Sequence, residues 1–129
     1  MLTATRRSQF RRLWRAGHAA VLYASPSKHC LRTILRRRFR ETSAAAAASE
    51  EQVENTLRFL HAAASTRGVE HAIVRNLCHV HWQRAFTKKR PIKQDATFLD
   101  VVDARRTAYK DMDLTLLMLN RTLQLSLAY

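Results

Sequence analysis

Glycine, proline and cysteine are scarce, with two of each in 129 residues. So few turn formers disfavour a turn-rich β fold, and the abundance of Ala, Leu and Arg favours helices. No run approaches the roughly 18 apolar residues that a membrane-spanning helix requires. Two cysteines, Cys30 and Cys78, cannot build a disulfide framework, so a reducing compartment is the default. Also missing are a Gly-rich phosphate loop, a Ser or Cys nucleophile motif and a helix-borne His-Glu zinc pair. Their absence points away from an enzyme and towards a binding protein. Acidic residues are missing from the first 40 positions, which hold 11 Lys and Arg. Residues 41–129 hold 12 Lys and Arg against 10 acids, so the formal charge of +13 belongs mainly to the N-terminal part. Such a patch suits an acidic protein or nucleic acid. A solubilising, solvated face is the competing reading, but five arginines in the nine positions from Arg32 to Arg40 exceed what solubility needs.

The length suits one domain with a modest core. Phe10, Leu13, Trp14, Gly17 and Val21 share one helical stripe, and Leu31, Ile34, Leu35 and Phe39 share another. Between them Ser25 is expected to cap the second helix, with Pro26 at its first position. Gly17 costs roughly 1 kcal/mol in a helix interior relative to Ala, so space is wanted there, for close packing or for a guest. Ala44–Ala48 reads as a connector. Ser49 and Gln52 then form a capping box, with Glu50 and Glu51 favourable to the helix dipole. Val53, Leu57, Leu60 and Ala64 predict a third helix from about Glu50 to Ser65, with Gly68 as its stop. Leu13, Leu31, Leu35, Val53, Leu57 and Leu60 are the expected common core.

Ile73, Leu77 and Val80 predict a fourth helix ending near Trp82 or Phe86, followed by a basic loop, Thr87–Lys93, broken by Pro91. From Phe98 to Leu123 apolar residues recur at threes and fours. One long helix and two helices broken near Asp111–Asp113 both fit. The leucine-dense end from Leu114 to Leu127 must pack on the core or in a partner's groove. Cys78 and His81 have metal-ligand types, but a structural zinc site wants four ligands. His29 and Cys30 could supply the rest only if the fold brought them near. Ordinary partly buried side chains are the expected reading, with no metal. Asp100 and Asp103 beside Arg105 and Arg106 suggest surface ion pairs.

Leu13-Trp14-Arg15, together with Ile34-Leu35-Arg36-Arg37-Arg38-Phe39-Arg40-Glu41 downstream, resembles the LYR family, named for a Leu-Tyr-Arg tripeptide followed by a basic helix with Phe-Arg. The likeness covers roughly residues 5–66; Trp14 in place of Tyr and the longer C-terminal half depart from it. It implies an all-α fold: a single domain, 1–129, with an antiparallel three-helix unit over 1–66 and one to three further helices over 67–129. It also implies a non-enzymatic adaptor that binds the acidic, acylated mitochondrial acyl carrier protein. The acyl-phosphopantetheine then belongs to the carrier, and the chain needs no cofactor of its own. Residues carried over as partner-binding are Arg7, Trp14, Arg15, Arg37, Phe39 and Arg40. Leu13, Leu35, Leu57 and Leu60 are the expected acyl-chain lining. The complex would serve assembly of a respiratory, iron–sulfur or mitoribosomal client.

The first 24 residues, acid-free, arginine-rich and amphipathic, also look like a mitochondrial targeting segment. The expected location is the matrix, with no cleavage beyond Leu13. The alternative function is a basic protein contacting ribosomal RNA, with Arg36–Arg40 and Lys88–Lys93 on phosphates, or a structural subunit of a large complex. Only Phe39 interleaves the Arg run, which disfavours base stacking there.

Overall fold

The computed structural model describes residues 4–40 and 49–127. Six helices follow one another: α1 (Ala4–Ala20), α2 (Ser27–Arg40), α3 (Glu50–Ser65), α4 (Val69–Lys89), α5 (Phe98–Thr107) and α6 (Lys110–Thr122). No strand occurs among the described residues, so the fold class expected from composition holds. The alanine connector lies outside the described residues.

The first four helices run up, down, up and down. The end of α1, the start of α2, Arg67 just past α3 and the start of α4 line one cavity, so these four ends meet. At the other end Phe10 of α1 meets Phe39 of α2, ring centroids 5.4 Å apart and edge to face. α1 packs on α2 and α3, and α4 packs on the same two helices from the other side. The helix after Gly68 is therefore part of the core, contributing Val74, Leu77 and Cys78 to the same buried cluster as Leu13, Leu31, Leu35, Val53, Leu57 and Leu60. Each such leucine, fully withdrawn from water, contributes about 1.5–3 kcal/mol.

Several local details differ from the sequence reading. Pro26 precedes α2 and does not begin it. Its carbonyl accepts the first helical bond, from the N–H of Cys30 at 3.1 Å, and the Ser25–Pro26 peptide bond is cis. The α1 face is set by Leu13, Ala16, Gly17 and Ala20, with Trp14 at its half-buried margin. On α3, Ala63 is buried where Ala64 was expected, beside Thr56 and Phe59. The capping box stands as read: Ser49 Oγ accepts from Gln52 N–H, and Gln52 Oε1 accepts from Ser49 N–H, both at 3.2 Å. Gly68 does not stop α3. Thr66, extended at φ −132° and ψ 148°, ends it, and Gly68 opens α4. That helix runs on through Phe86 to Lys89 and absorbs the start of the basic loop.

The C-terminal periodic stretch is two helices, broken at Ala108–Tyr109. Arg84 of α4 holds α6 in place, donating to Asp113 Oδ1 at 2.6 Å with its guanidinium 4.6 Å from the centre of the Tyr109 ring. Of Asp100 and Asp103, the latter pairs with Arg106 at 3.0 Å, while Arg105 donates to the carbonyls of Thr87 and Arg90. Beyond α6, Leu125, Ser126 and Leu127 are buried. The amide of Ser126 donates to Thr56 Oγ1 on α3 at 2.9 Å, and Arg38 Nε on α2 donates to its hydroxyl at 3.0 Å. The leucine-dense end thus returns to the core between α2 and α3.

Gly17 marks close helix packing. A Cβ built there would lie 2.9 Å from Leu31 Cδ2 and 3.4 Å from Leu35 Cδ1, both in buried side chains. Gly17→Val is expected to lower stability by about 1–3 kcal/mol through overpacking. Urea unfolding reads the shift in midpoint, and an unchanged midpoint would show that the α1–α2 seam has slack.

Candidate partner-binding face

On α1, Arg7, Arg11 and Arg15 recur every four residues and are exposed. On α2, Arg32, Arg36 and Arg40 do the same. Because the two helices are antiparallel, these rows run beside each other across the outer seam. Trp14 stands at the join. The Arg32 guanidinium lies 5.0 Å from its ring centre, and its indole N–H donates to His18 Nε2 at 2.6 Å. Arg12, on the far flank of α1, is neutralised by Glu54 at 2.7 Å. Arg7, Arg11, Arg15, Arg36 and Arg40 have no such partner among the described residues. The result is a basic face with one half-buried indole, suited to a surface carrying several carboxylates.

Of the expected partner-binding residues, the structure therefore gathers Arg7, Trp14, Arg15 and Arg40. Arg37 is exposed on the α4 flank of α2, close enough to His81 to disfavour that ring's charged form. Phe39 points inward, buried against Phe10, with the Arg6 guanidinium 5.9 Å from its ring centre. It joins α1 to α2 and offers no surface. Arg11, Arg32 and Arg36 also belong to the face; of these the sequence marks only Arg36, as a phosphate contact, although the four-residue spacing points to all three. Leu13, Leu35, Leu57 and Leu60 share one cluster, each 0–3% exposed. An acyl chain entering among them must displace packed side chains or the Leu125–Leu127 segment.

His18 titrates below its usual range, first because burial disfavours the imidazolium and then because Lys28, Arg32 and His29 repel it. A neutral ring can accept at Nε2, consistent with the bond from Trp14. His81 is lowered likewise, by burial and then by Arg84, Arg37 and Lys88. In the unfolded chain both rings take up a proton near pH 6.5, whereas the folded chain takes it up only at lower pH. Below that value the unfolded state binds more protons, so stability falls as pH falls. The melting temperature is expected to be lower at about pH 5.5 than at about pH 7.5. Replacing both histidines with Gln should shrink the difference, and an unchanged pH dependence in that double variant would assign it to other groups.

Burial, and then Cys30, push the Cys78 thiol up to about 12, so it stays protonated and is a poor nucleophile or metal ligand. Among the described residues no group of three His, Cys, Asp or Glu side chains is placed to hold a metal ion, and no helix is long and apolar enough to cross a membrane.

The chain is 43% identical over 79 residues to a UPF0593 mitochondrial protein of Schizosaccharomyces pombe. The match covers 60% of this chain and 62% of that relative, so the chain spans less than two thirds of the relative's length. No protein-family model matches the chain, and no solved structure matches it.

Proposed function

We propose that this chain is a non-enzymatic mitochondrial adaptor of LYR type that binds acylated acyl carrier protein through the α1–α2 face. The observation that supports this most directly is the double row of arginines flanking Trp14, on two helices without a single acid. Arg15 and Arg40 meet the carrier's carboxylates, with Trp14 beside Arg15 and Arg7 at the Arg40 end of the face, and the acyl chain is received by the leucine cluster of α1 to α3. A relative described as a mitochondrial protein supports the location, and the matrix is where such a carrier would be met. The bound pair then serves assembly of a larger respiratory, iron–sulfur or ribosomal complex.

Isolation of the chain from mitochondria, followed by intact-mass analysis, tests this directly. The expected result is a co-purifying carrier whose mass includes phosphopantetheine and an acyl group, lost when Arg15 and Arg40 are both changed to Glu. Recovery of RNA in place of the carrier, with binding that falls log-linearly with salt, would favour the ribosomal alternative.

A further inference from the structure

Helix α4 carries apolar side chains on two faces. Val74, Leu77 and Cys78 face the core, while Trp82 and Phe86 remain 41% and 43% exposed. The two rings stack with centroids 5.5 Å apart and planes 11° from parallel, and the Arg90 guanidinium lies 4.8 Å from the centre of Phe86. Arg75 and His79 continue the same stripe towards the start of the helix. Together with Pro26 and Cys30 they line a groove of about 300 Å³ between α2 and α4, which ends at Trp82. Arg75 pairs with no carboxylate or carbonyl among the described residues. Lys88, Lys89 and Arg90 stand exposed at the other end, and the one acid in α4 is Glu70 in its first turn.

A large exposed aromatic pair beside a groove and ringed by cations has the makeup of an interface centre, where Trp and Arg supply most of the binding energy. Charge decides what covers it. A second copy of a chain with net charge +13 would set lysine and arginine against lysine and arginine. Single-stranded RNA needs open ring faces, but Phe86 already lies between Trp82 and Arg90, so only one face of Trp82 is left to a base. A bilayer surface is flat and does not fill a groove.

We propose that this face of α4 docks a short acidic amphipathic helix of a protein partner. Its apolar stripe covers Trp82 and Phe86 and seats an aliphatic side chain in the α2–α4 groove, while its carboxylates meet Arg75, Lys89 and Arg90. The surface lies away from the arginine rows of α1 and α2, so it does not depend on the carrier reading.

Fluorine NMR of the full chain labelled with fluorotryptophan gives one resonance each for Trp14 and Trp82, assigned with Trp82→Phe. The probes are a synthetic Glu/Leu peptide of amphipathic helical pattern, a scrambled peptide of the same composition, oligouridylate RNA, and vesicles containing cardiolipin. The amphipathic acidic peptide is expected to shift the Trp82 resonance saturably and leave that of Trp14 in place. Its affinity should fall roughly tenfold or more in Phe86→Ala and in Arg75→Glu, the size expected for truncation at an interface centre. Both positions are exposed, and an unchanged thermal melt verifies that these variants fold. An unmoved Trp82 resonance, equal binding of the scrambled peptide, or a stronger response to RNA or vesicles would each overturn the proposal.

Discussion

Carrier stripped of its acyl chain is expected to bind this chain at least about a hundredfold more weakly than acylated carrier, a difference of about 2.7 kcal/mol. Neither Arg15→Ala nor Arg40→Ala alone should approach that loss. Both arginines are exposed; such ion pairs contribute about 0.2–1 kcal/mol each and are screened by salt. An acyl chain contributes about 0.8 kcal/mol per buried methylene, so about ten of them give on the order of 8 kcal/mol before ordering costs. Here the receiving cluster is already packed, and opening it consumes part of that gain. The chain should still hold the complex, while the arginines orient the carrier and speed its approach. Titrating both carrier forms onto wild type and the two variants reads this directly. Equal affinity for the two forms would mean that no acyl chain is buried, and the LYR-type mechanism would fail for this protein even if the carrier bound.

The three N-terminal helices are legible because each carries a stripe at helical spacing, and in α3 a capping box and an acid-rich first turn agree with it. Where signals conflict or are missing, the local sequence misplaces the element ends. Helix α1 leaves its last turn through Leu22 and Tyr23, both left-handed at φ 54° and 57°, a conformation for which glycine is the usual cue. Gly68 supplied that cue in the wrong place, since a glycine serves at either end of a helix. The extent of α4 was obscured because Trp82 and Phe86 place apolar weight on its outer face. The acids Asp111 and Asp113 mark a break in one of the two readings of the C-terminal stretch, and the observed break at Ala108–Tyr109 lies just before them, with both acids in the first turn of α6. Arg84 reaches both Tyr109 at the break and Asp113 beyond it, a tertiary contact that fixes the angle of α6 and leaves no trace in the local pattern. Of the site, the arginines are visible as composition, but only the antiparallel register shows that the row of Arg32, Arg36 and Arg40 meets Trp14 through Arg32 while Arg37 faces α4. The family resemblance makes Phe39 a partner contact. Its neighbour Phe10, 29 positions earlier, draws it inward.

Leu127→Ala should be among the most damaging single changes in the chain, although it lies beyond the last helix. Leu127 is 2% exposed within the core cluster, and truncating such a leucine costs about 2–5 kcal/mol when the site cannot collapse. Collapse is restricted here because the segment is held by polar clasps as well as packing. Asn120 closes a ring around it, its amide donating to the Leu127 carbonyl at 2.7 Å and its oxygen accepting from the Leu127 N–H at 3.2 Å. One step earlier, Thr56 accepts from the Ser126 amide while its own hydroxyl donates to the Gln52 carbonyl at 2.7 Å. Asn120→Ala leaves both Leu127 backbone groups without those partners, an expected cost of about 1–3 kcal/mol. Both changes loosen the same Leu125–Leu127 segment, so the double variant should lose less than their sum. Chemical unfolding of wild type, both single variants and the double variant measures all three quantities. A loss under about 0.5 kcal/mol for Leu127→Ala, the range of an ordinary surface change, would show that the segment merely rests on the α2–α3 seam. A loss of the expected size would make it a working part of the bundle, and would show that anything entering between α2 and α3 must first contend with it.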